Sequence, residues 1–527
     1  MATAQVKTTA AAAQSASGYH VAGVVVNAVT GDPVRGASVA LLTVEDSRVV
    51  ASAESGDDGG FALAGLPAAK FQLTASKRGY VTGFYDQHQD YNSAIVTGEG
   101  QDTSHLVFKL APTAVLSGVV TGDGGDAVEG ATVMLFEKPH RHEPGERIEQ
   151  TQTAQTDDTG AYEFSELTAG EYLVAVKAKP WYALPPPSFQ EQETEAQAAL
   201  DVAYPVTFFD STTDAGSATP IVLSMGSHEE ADLSLHALPA LRLEVAAPRK
   251  QDGSIARPEL KETIFGVAVE SDEPDFADPG VKGGVAELAG VAPGHYELTQ
   301  GDPPRVVELD ATGSQQVDPN AGTPTSNVSG TVQSAPGEAF AGPLALALEP
   351  ADGAGTEMGP FSFSGGSFKF NGVPQGSWLV EAESSNQPLP VLSIASAGKA
   401  HAGNRITVED KPLALVVTVS ASNTRVEGFA RKDGKGVAGA MVVLMPKDAT
   451  AIAELARRDQ SDSDGSFALL NVAPGEYTAV AIEDAWEMNW ADPAVMARYL
   501  PRGIAVTVTG QSNKLMHLAE PVPVQAR

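Results

Sequence analysis

The sequence predicts an all-β chain: a tandem array of about five small antiparallel β-sandwiches with few short helices. Three observations predict it. First, an apolar residue, usually aromatic, is followed ten positions later by an aromatic, and this happens five times: Phe61 and Phe71, Tyr162 and Tyr172, Ala286 and Tyr296, Phe368 and Trp378, Phe467 and Tyr477. Second, a Leu or Val stands midway in each pair, at Leu66, Leu167, Val291, Val373 and Val472. Third, the second aromatics stand 101, 124, 82 and 99 residues apart. A fixed pattern recurring along a chain is the signature of one module copied in series. A period of roughly 100 residues holding about seven short strands suits a small sandwich. It is also enough chain for each copy to bury its own core.

Each element follows from local pattern. A Gly opens an apolar strand at Gly23, Gly118, Gly330 and Gly428, and the first aromatic of the repeat comes 38, 44, 38 and 39 residues later. Between them lies a Gly-Ala step followed by a Val at Gly36-Ala37, Gly130-Ala131 and Gly439-Ala440, of which the fourth copy keeps only Gly342. An acidic turn precedes the first aromatic, as in Asp57-Asp58-Gly59, Asp157-Asp158-Thr159-Gly160 and Asp462-Ser463-Asp464-Gly465. Asp caps such turns with its side chain and Gly takes the positive φ. Two alternating runs separated by a Gly/Pro turn then read as a hairpin. Gly lies two residues before the second aromatic at Gly170, Gly294, Gly376 and Gly475, and Ala69 replaces it in the first copy. The third copy lacks the opening Gly and has Leu241 to Val245 instead. Short helices are expected at Gln190 to Leu200, at Thr450 to Arg458, and after Asp492-Pro493, where Asp is an N-cap and Pro suits the first turn.

These spacings place boundaries near residues 112, 238, 322 and 422. The expected units are a flexible arm at 1–17, then domains at 18–112, 113–238 (with an extended tail), 239–322 (the divergent copy), 323–422 and 423–527.

Composition narrows the function. Asp plus Glu number 67 against 34 for Lys plus Arg, a net charge of −33. A chain this acidic repels nucleic acid and anionic membranes. There is no cysteine, which excludes a disulfide framework, a thiolate nucleophile and a thiolate metal site. No apolar run reaches the ~18 residues of a membrane span. Residues 1–17 are rich in Ala, Thr, Ser and Gln without an apolar centre. They read as the arm of an exported chain whose signal peptide has been removed, rather than as an intact signal.

The string Val21 to Val25, then Gly31-Asp32-Pro33-Val34-Arg35-Gly36-Ala37-Ser38-Val39, then Asp57-Asp58-Gly59-Gly60-Phe61 resembles the carboxypeptidase regulatory-like domain. So do Leu116 to Val120, Val128-Glu129-Gly130-Ala131, Asp157 to Tyr162 and Gly170-Glu171-Tyr172. The resemblance is good in the first, second and fifth copies, weaker in the fourth and poor in the third. Tyr204 to Phe209, Ala218 to Ile221 and Arg498 to Gly503 are similar to tails in long arrays of this domain from soil bacteria. The resemblance implies a transthyretin-like (prealbumin-like) sandwich, an accessory and non-catalytic role, and export to the periplasm, cell surface or medium.

Candidate chemistry is sparse. His140-Arg141-His142-Glu143 pairs a His and a Glu three apart, a spacing seen in zinc hydrolases. It sits in a charged loop with no further ligand framework, so a solvated loop is the expectation. The acidic turns lack the ligand loop of a calcium site, and no nucleophile elbow, phosphate loop or zincin motif is present. No cofactor, metal or catalytic residue is therefore assigned. The remaining candidates are loop aromatics after each second strand: Trp181 and Tyr182, Trp486 and Trp490, and Tyr85 with its neighbours Phe84 and Tyr91. Such rings stack on sugars or clasp a peptide, or else simply cover the open end of the sandwich.

The sequence thus points to a non-catalytic extracytoplasmic structural or interaction protein: a spacer, surface component or assembly subunit. The alternative is a carbohydrate- or peptide-binding protein using loop aromatics. Expected partners are a second copy in a head-to-tail assembly, with residues 3–20 lying in a neighbour's open sheet edge, or a cell-surface protein or glycan.

Overall fold

The computed structural model describes residues 18–139, 148–184, 189, 194–269, 280–340, 342–351, 357–363, 366–384, 387–420, 424–449, 452–509 and 515–527. The arm at 1–17 and the His140–Glu143 segment lie outside them. Strands dominate, and the helices are short: Glu195–Ala198, Ile452–Leu455 and Pro493–Met496. Asp492 caps the last of these by accepting from Ala494 N, with Pro at the first turn, as the sequence requires. No described helix is long and apolar enough to cross a membrane.

The copies are sandwiches, with two separate sheets in the first; between the third and fourth one sheet runs on through Arg305–Ala311 and Thr323–Ser334, and in the fifth Val522–Gln525 joins the two sheets. In the first, one sheet orders Gly60–Leu66, Tyr19–Asn27 and Leu106–Leu110; the other orders Val49–Glu54, Ser38–Thr43 and Lys70–Ser76, edged by Gly83–Phe84 and Ile95–Val96. Buried residues form a separate core in each copy: Val21 to Leu110, Ala114 to Leu235, Leu241 to Val317, Val328 to Val419, and Val426 to Val524. The described structure is therefore an all-β tandem array of sandwiches. One ladder in each departs from the antiparallel expectation. The opening strand runs parallel to the closing strand, as in Tyr19–Asn27 beside Leu106–Leu110 and Thr323–Ser334 beside Leu413–Val419. The chain crosses between the sheets before returning, so it arrives in the same direction.

The repeat pattern is the core pattern. The paired and midway residues of all five copies are buried, none more than 8 % exposed. Opening glycines are the cross-strand partners of the first aromatics: Gly23 with Phe61, Gly118 with Tyr162, Gly330 with Phe368 and Gly428 with Phe467. The glycine leaves room for the ring and for the adjacent parallel strand. In the third copy the same ladder position pairs Val245 with Ala286, so the bulk has moved to the other strand. The second aromatic reaches back to a carbonyl four residues earlier: Tyr172 to Thr168 O, Tyr296 to Ala292 O, Trp378 to Pro374 O and Tyr477 to Ala473 O, at 2.8 to 3.1 Å. The returning ring lies over the residue two before it. A Cβ at Gly475 would stand 3.1 Å from Tyr477 and one at Gly170 3.3 Å from Tyr172. Phe71 has no hydroxyl to return, which suits Ala69, and Thr97 Oγ1 donates to the equivalent carbonyl of Pro67 instead, at 2.6 Å. The Gly-Ala step is held by a buried hydroxyl: Ser55, Thr156 and Ser461 accept from the N–H of Ala37, Ala131 and Ala440.

Several strands break the in-out alternation, two of them most fully. Met441–Pro446 is buried at every position and Thr132–Glu137 at its four central ones, whereas Lys70–Ser76 alternates cleanly. A strand covered on both faces reads as a continuous apolar run. Val206, Phe208 and Ile264 cover the second copy's outer face. Ile452, Trp486, Met488, Trp490, Met496 and Tyr499 cover the fifth's.

Candidate functional site

The outer cover of the fifth copy is completed by the first. The Asp86–Val96 loop of the first copy docks on the strand Arg457–Gln460 and the acidic turn that follows it. Lys70 Nζ lies 2.7 Å from Asp462 Oδ2, and Ala94 N donates to Asp462 Oδ1 at 2.9 Å. Ser463 N donates to Ala94 O at 3.0 Å and its hydroxyl accepts from Val96 N at 2.8 Å. Ser93 Oγ donates to Ser461 O at 2.9 Å. Gln460 is fully buried, and its amide partners come from the first copy: Ser93 Oγ and Asp86 O accept from Nε2, and His88 Nδ1 stands 3.0 Å from Oε1. The His88 ring stacks on Trp486 with centroids 5.1 Å apart. Arg458 lies 4.9 Å from the Tyr91 ring centre and 4.5 Å from that of Trp490, and donates to Gln89 Oε1 at 3.2 Å. A buried amide left without partners costs about 1–3 kcal/mol, and the first copy supplies partners to both ends of this one, so docking buries Gln460 without that cost. Residues about 370 positions apart thus close the chain upon itself.

A cavity of 830 Å³ opens beside this clasp, walled by the first, fourth and fifth copies. Its polar walls include Lys70, Gln72, Glu381, Glu383, Asn404, Arg457, Asp459 and Asn471, with Trp490, Pro388 and Pro390 as apolar surface. Burial pushes the Asp459 carboxyl up to about 7, although Ala468 N and Gln460 N both donate to it. Burial also lowers the Arg457 guanidinium, which donates to the Asn471 and Ala456 carbonyls.

Residues 20–110 and 115–199 each match the carboxypeptidase regulatory-like domain family. The first two sandwiches are carboxypeptidase regulatory-like domains. None of the curated proteins compared matches the chain. Among solved structures it is similar to the TIE protein of Bacillus anthracis at 10 % identity, covering 97 % of this chain and 68 % of that one with a TM-score of 0.16. It is similar also to the minor pilin GBS52 of Streptococcus agalactiae (16 % identity, 42 % and 97 % covered, TM-score 0.21) and to the shaft pilin SpaA of Lactobacillus rhamnosus GG (10 %, 41 % and 97 %, 0.20). Superposition this loose says nothing about function.

The first regulatory-like domain supplies the docking loop, and none of the second's described residues lines the cavity. Of the loop aromatics singled out from sequence, Trp486 and Trp490 are 5 % and 6 % exposed, gathered with Tyr91 around Arg458. Tyr85 is half-buried and leans on Phe108 of the first regulatory-like domain's core, 6.2 Å between centroids. Trp181 and Tyr182, in the second regulatory-like domain, stand apart from this cluster. Trp181 is 94 % exposed, edge-on to Tyr182 at 5.7 Å. The acidic turns cap themselves: Asp58 accepts from Gly60 N, Asp157 from Thr159 N and Ala161 N, and Asp464 from Ser466 N. Asp462, read from sequence as one more capping acid, accepts from Ser466 Oγ in its own turn at 3.2 Å but also holds Lys70 and Ala94 N of the first regulatory-like domain. Sequence reasoning missed Lys70, Gln460, Asp459 and Asp462 as a group. The one local signal was the unbroken apolar run from Met441 to Met445, which announces a covered outer face without naming its cover.

The raised Asp459 carboxyl has a definite pH consequence. Its folded value, about 7, exceeds the unfolded value near 3.8, so the folded chain holds the proton more tightly. Below pH ~4 both states are protonated and burial adds no penalty. The penalty grows as pH rises and is complete above ~7, at no more than about 4 kcal/mol. The melting temperature of the fifth sandwich is therefore expected to fall between about pH 4 and pH 7, the window these two values set, and Asp459→Asn should flatten that slope. A wild-type slope retained in the variant places the titration elsewhere.

Proposed function

We propose that this chain is a non-catalytic, extracytoplasmic interaction protein whose five sandwiches close into one body, an assembly or surface subunit rather than an extended spacer. The observation that carries this reading is the clasp. A spacer needs its ends apart, whereas here the first and last sandwiches share buried hydrogen bonds. The perturbed groups are engaged structurally: Asp462 bridges two sandwiches, Asp459 accepts backbone N–H groups and Arg457 donates to backbone carbonyls. A net charge of −33 keeps such bodies from sticking indiscriminately. A second reading, recognition of a glycan or peptide by loop aromatics, has its own support in the bare Trp181 surface and in Trp490 at the cavity wall.

Zero-length carbodiimide cross-linking of the unmodified chain tests closure directly. In dilute solution it should join Lys70 to Asp462, whose side chains stand 2.7 Å apart, within one chain, in a product that runs as a monomer on a denaturing gel and is located by peptide mass spectrometry. Small-angle scattering of the uncross-linked chain should give a compact radius. An extended scattering profile, or cross-links found only between chains, would defeat the closed reading.

A further inference from the structure

We propose that the outer face of the sheet Gly60–Leu66, Tyr19–Asn27 and Leu106–Leu110 in the first sandwich is a contact surface for a second copy of this chain. The inference goes beyond the closed reading above and does not use the clasp, which Lys70 and the Asp86–Val96 loop build on the sandwich's other side.

The strand registers build this face. Val21, Val25, Phe61, Leu63 and Phe108 point into the core, so the residues between them look outward. Ala22 stands opposite Ala62 and Val24 opposite Val107, on the two sides of the central strand. Ala62 is exposed and Val107 is 49 % exposed. His20 beside Ala64 closes one end and Val26 beside Lys109 the other. None of these residues is a carboxylate.

The other four copies differ at these positions. Where the first has Ala22, they have Ser117, Glu244, Ser329 and Glu427; opposite it, where the first has Ala62, they have Glu163, Glu287, Lys369 and Ala468. The sandwich therefore does not need small apolar residues there. A contiguous apolar patch that the fold does not require marks an interaction surface.

Charge identifies the partner. Two chains of net charge −33 repel wherever their carboxylates meet. This face has none, and its ionisable groups, His20 and Lys109, are bases. Its shape suits a copy of itself. A sheet face of Ala and Val is flat, and two such faces stack about 10 Å apart, as the sheets of a sandwich do. A two-fold axis lets one patch serve both chains. The three strands over about five residues cover roughly 14 Å by 17 Å. That is well below a standard interface, so the contact should be weak and reversible.

The test is sedimentation equilibrium of the full-length chain from micromolar to near-millimolar concentration. A monomer–dimer equilibrium is expected, tightening as added salt screens the repulsion between the two chains. Val107→Glu sets a carboxylate on each side of the contact and should weaken association about tenfold or more. Ala62→Glu should do the same and guards against a misfolded Val107 variant. Val416 holds the place of Val107 in the fourth copy, opposite Thr331, and is 37 % exposed. Val416→Glu adds the same charge and should change nothing. The proposal is overturned by a chain that stays monomeric throughout, by species larger than the dimer, by association that weakens with salt, or by equal loss in the Val416 and Val107 variants. Dimers that form only after residues 2–17 are deleted also overturn it, since the arm then covers the face. A monomeric chain that carbodiimide joins internally through Lys70 and Asp462 defeats this inference alone. A chain that dimerises through Val107 but never cross-links internally defeats only the closed reading.

Discussion

Tyr477→Ala should cost the fifth sandwich about 3–5 kcal/mol, the usual range for deleting a buried ring. Tyr477 is 1 % exposed, burial pushes its phenol up to about 12, and its hydroxyl closes on Ala473 O at 2.8 Å. Tyr477→Phe keeps the ring and should lose only about 1 kcal/mol, the net worth of that hydrogen bond. The damage should stay local, because contacts in an array are mostly within a unit and with its neighbours. Segment-resolved hydrogen exchange should show lost protection in residues 425–525, release of the Asp86–Val96 loop whose anchor has melted, and unchanged second and third cores. Equal loss across all five cores would show instead that the chain unfolds as one cooperative body.

Glycine substitutions at two equivalent positions should behave differently. A Cβ on Gly330 would stand 2.0 Å from the Leu415 carbonyl oxygen and 3.0 Å from the Phe368 ring. Backbone of a parallel neighbour cannot rotate away, so Gly330→Ala must part the ladder and should cost about 3 kcal/mol or more. Adding Phe368→Leu should not restore it. At Gly428 the nearest atoms are the Phe467 ring at 2.7 Å and Leu518 Cδ1 at 3.1 Å, both side chains. Gly428→Ala should cost less, and Phe467→Leu in the same chain should recover part of the loss. Denaturant midpoints of the single and double variants form the two cycles. Equal rescue at both sites would mean that ring crowding, not the parallel strand, is the reason for the glycine.

The repeat was legible because it is written by short-range sterics. The opening glycine and first aromatic face each other across one ladder, and the second aromatic folds onto the glycine two residues before it. Both constraints lie within a hairpin or a single strand pair, so they recur at fixed spacing. Even the eroded third copy obeys them with the bulk exchanged, Val245 opposite Ala286. The acidic turns were legible for the same reason, since Asp58, Asp157 and Asp464 bond their own backbone two residues on.

The candidate site was not legible in this way. Trp486 and Trp490 look like free loop aromatics in sequence, as Trp181 does, and only packing separates the buried pair from the exposed one. Asp462 and Asp464 sit in the same turn, two residues apart. One caps its own backbone and the other holds Lys70 and Ala94 N of the first sandwich. Nothing within ten residues distinguishes them, because the partner lies about 370 positions away.

The sequence alone therefore determined the sandwich, its repeat and the residues of each core, through contacts between neighbours in the chain. Tertiary structure decided which outer faces are covered, which acid is shared between sandwiches and where the cavity lies. Those depend on how sandwiches meet, and a surface records only that it is apolar or charged, not which distant surface it fits.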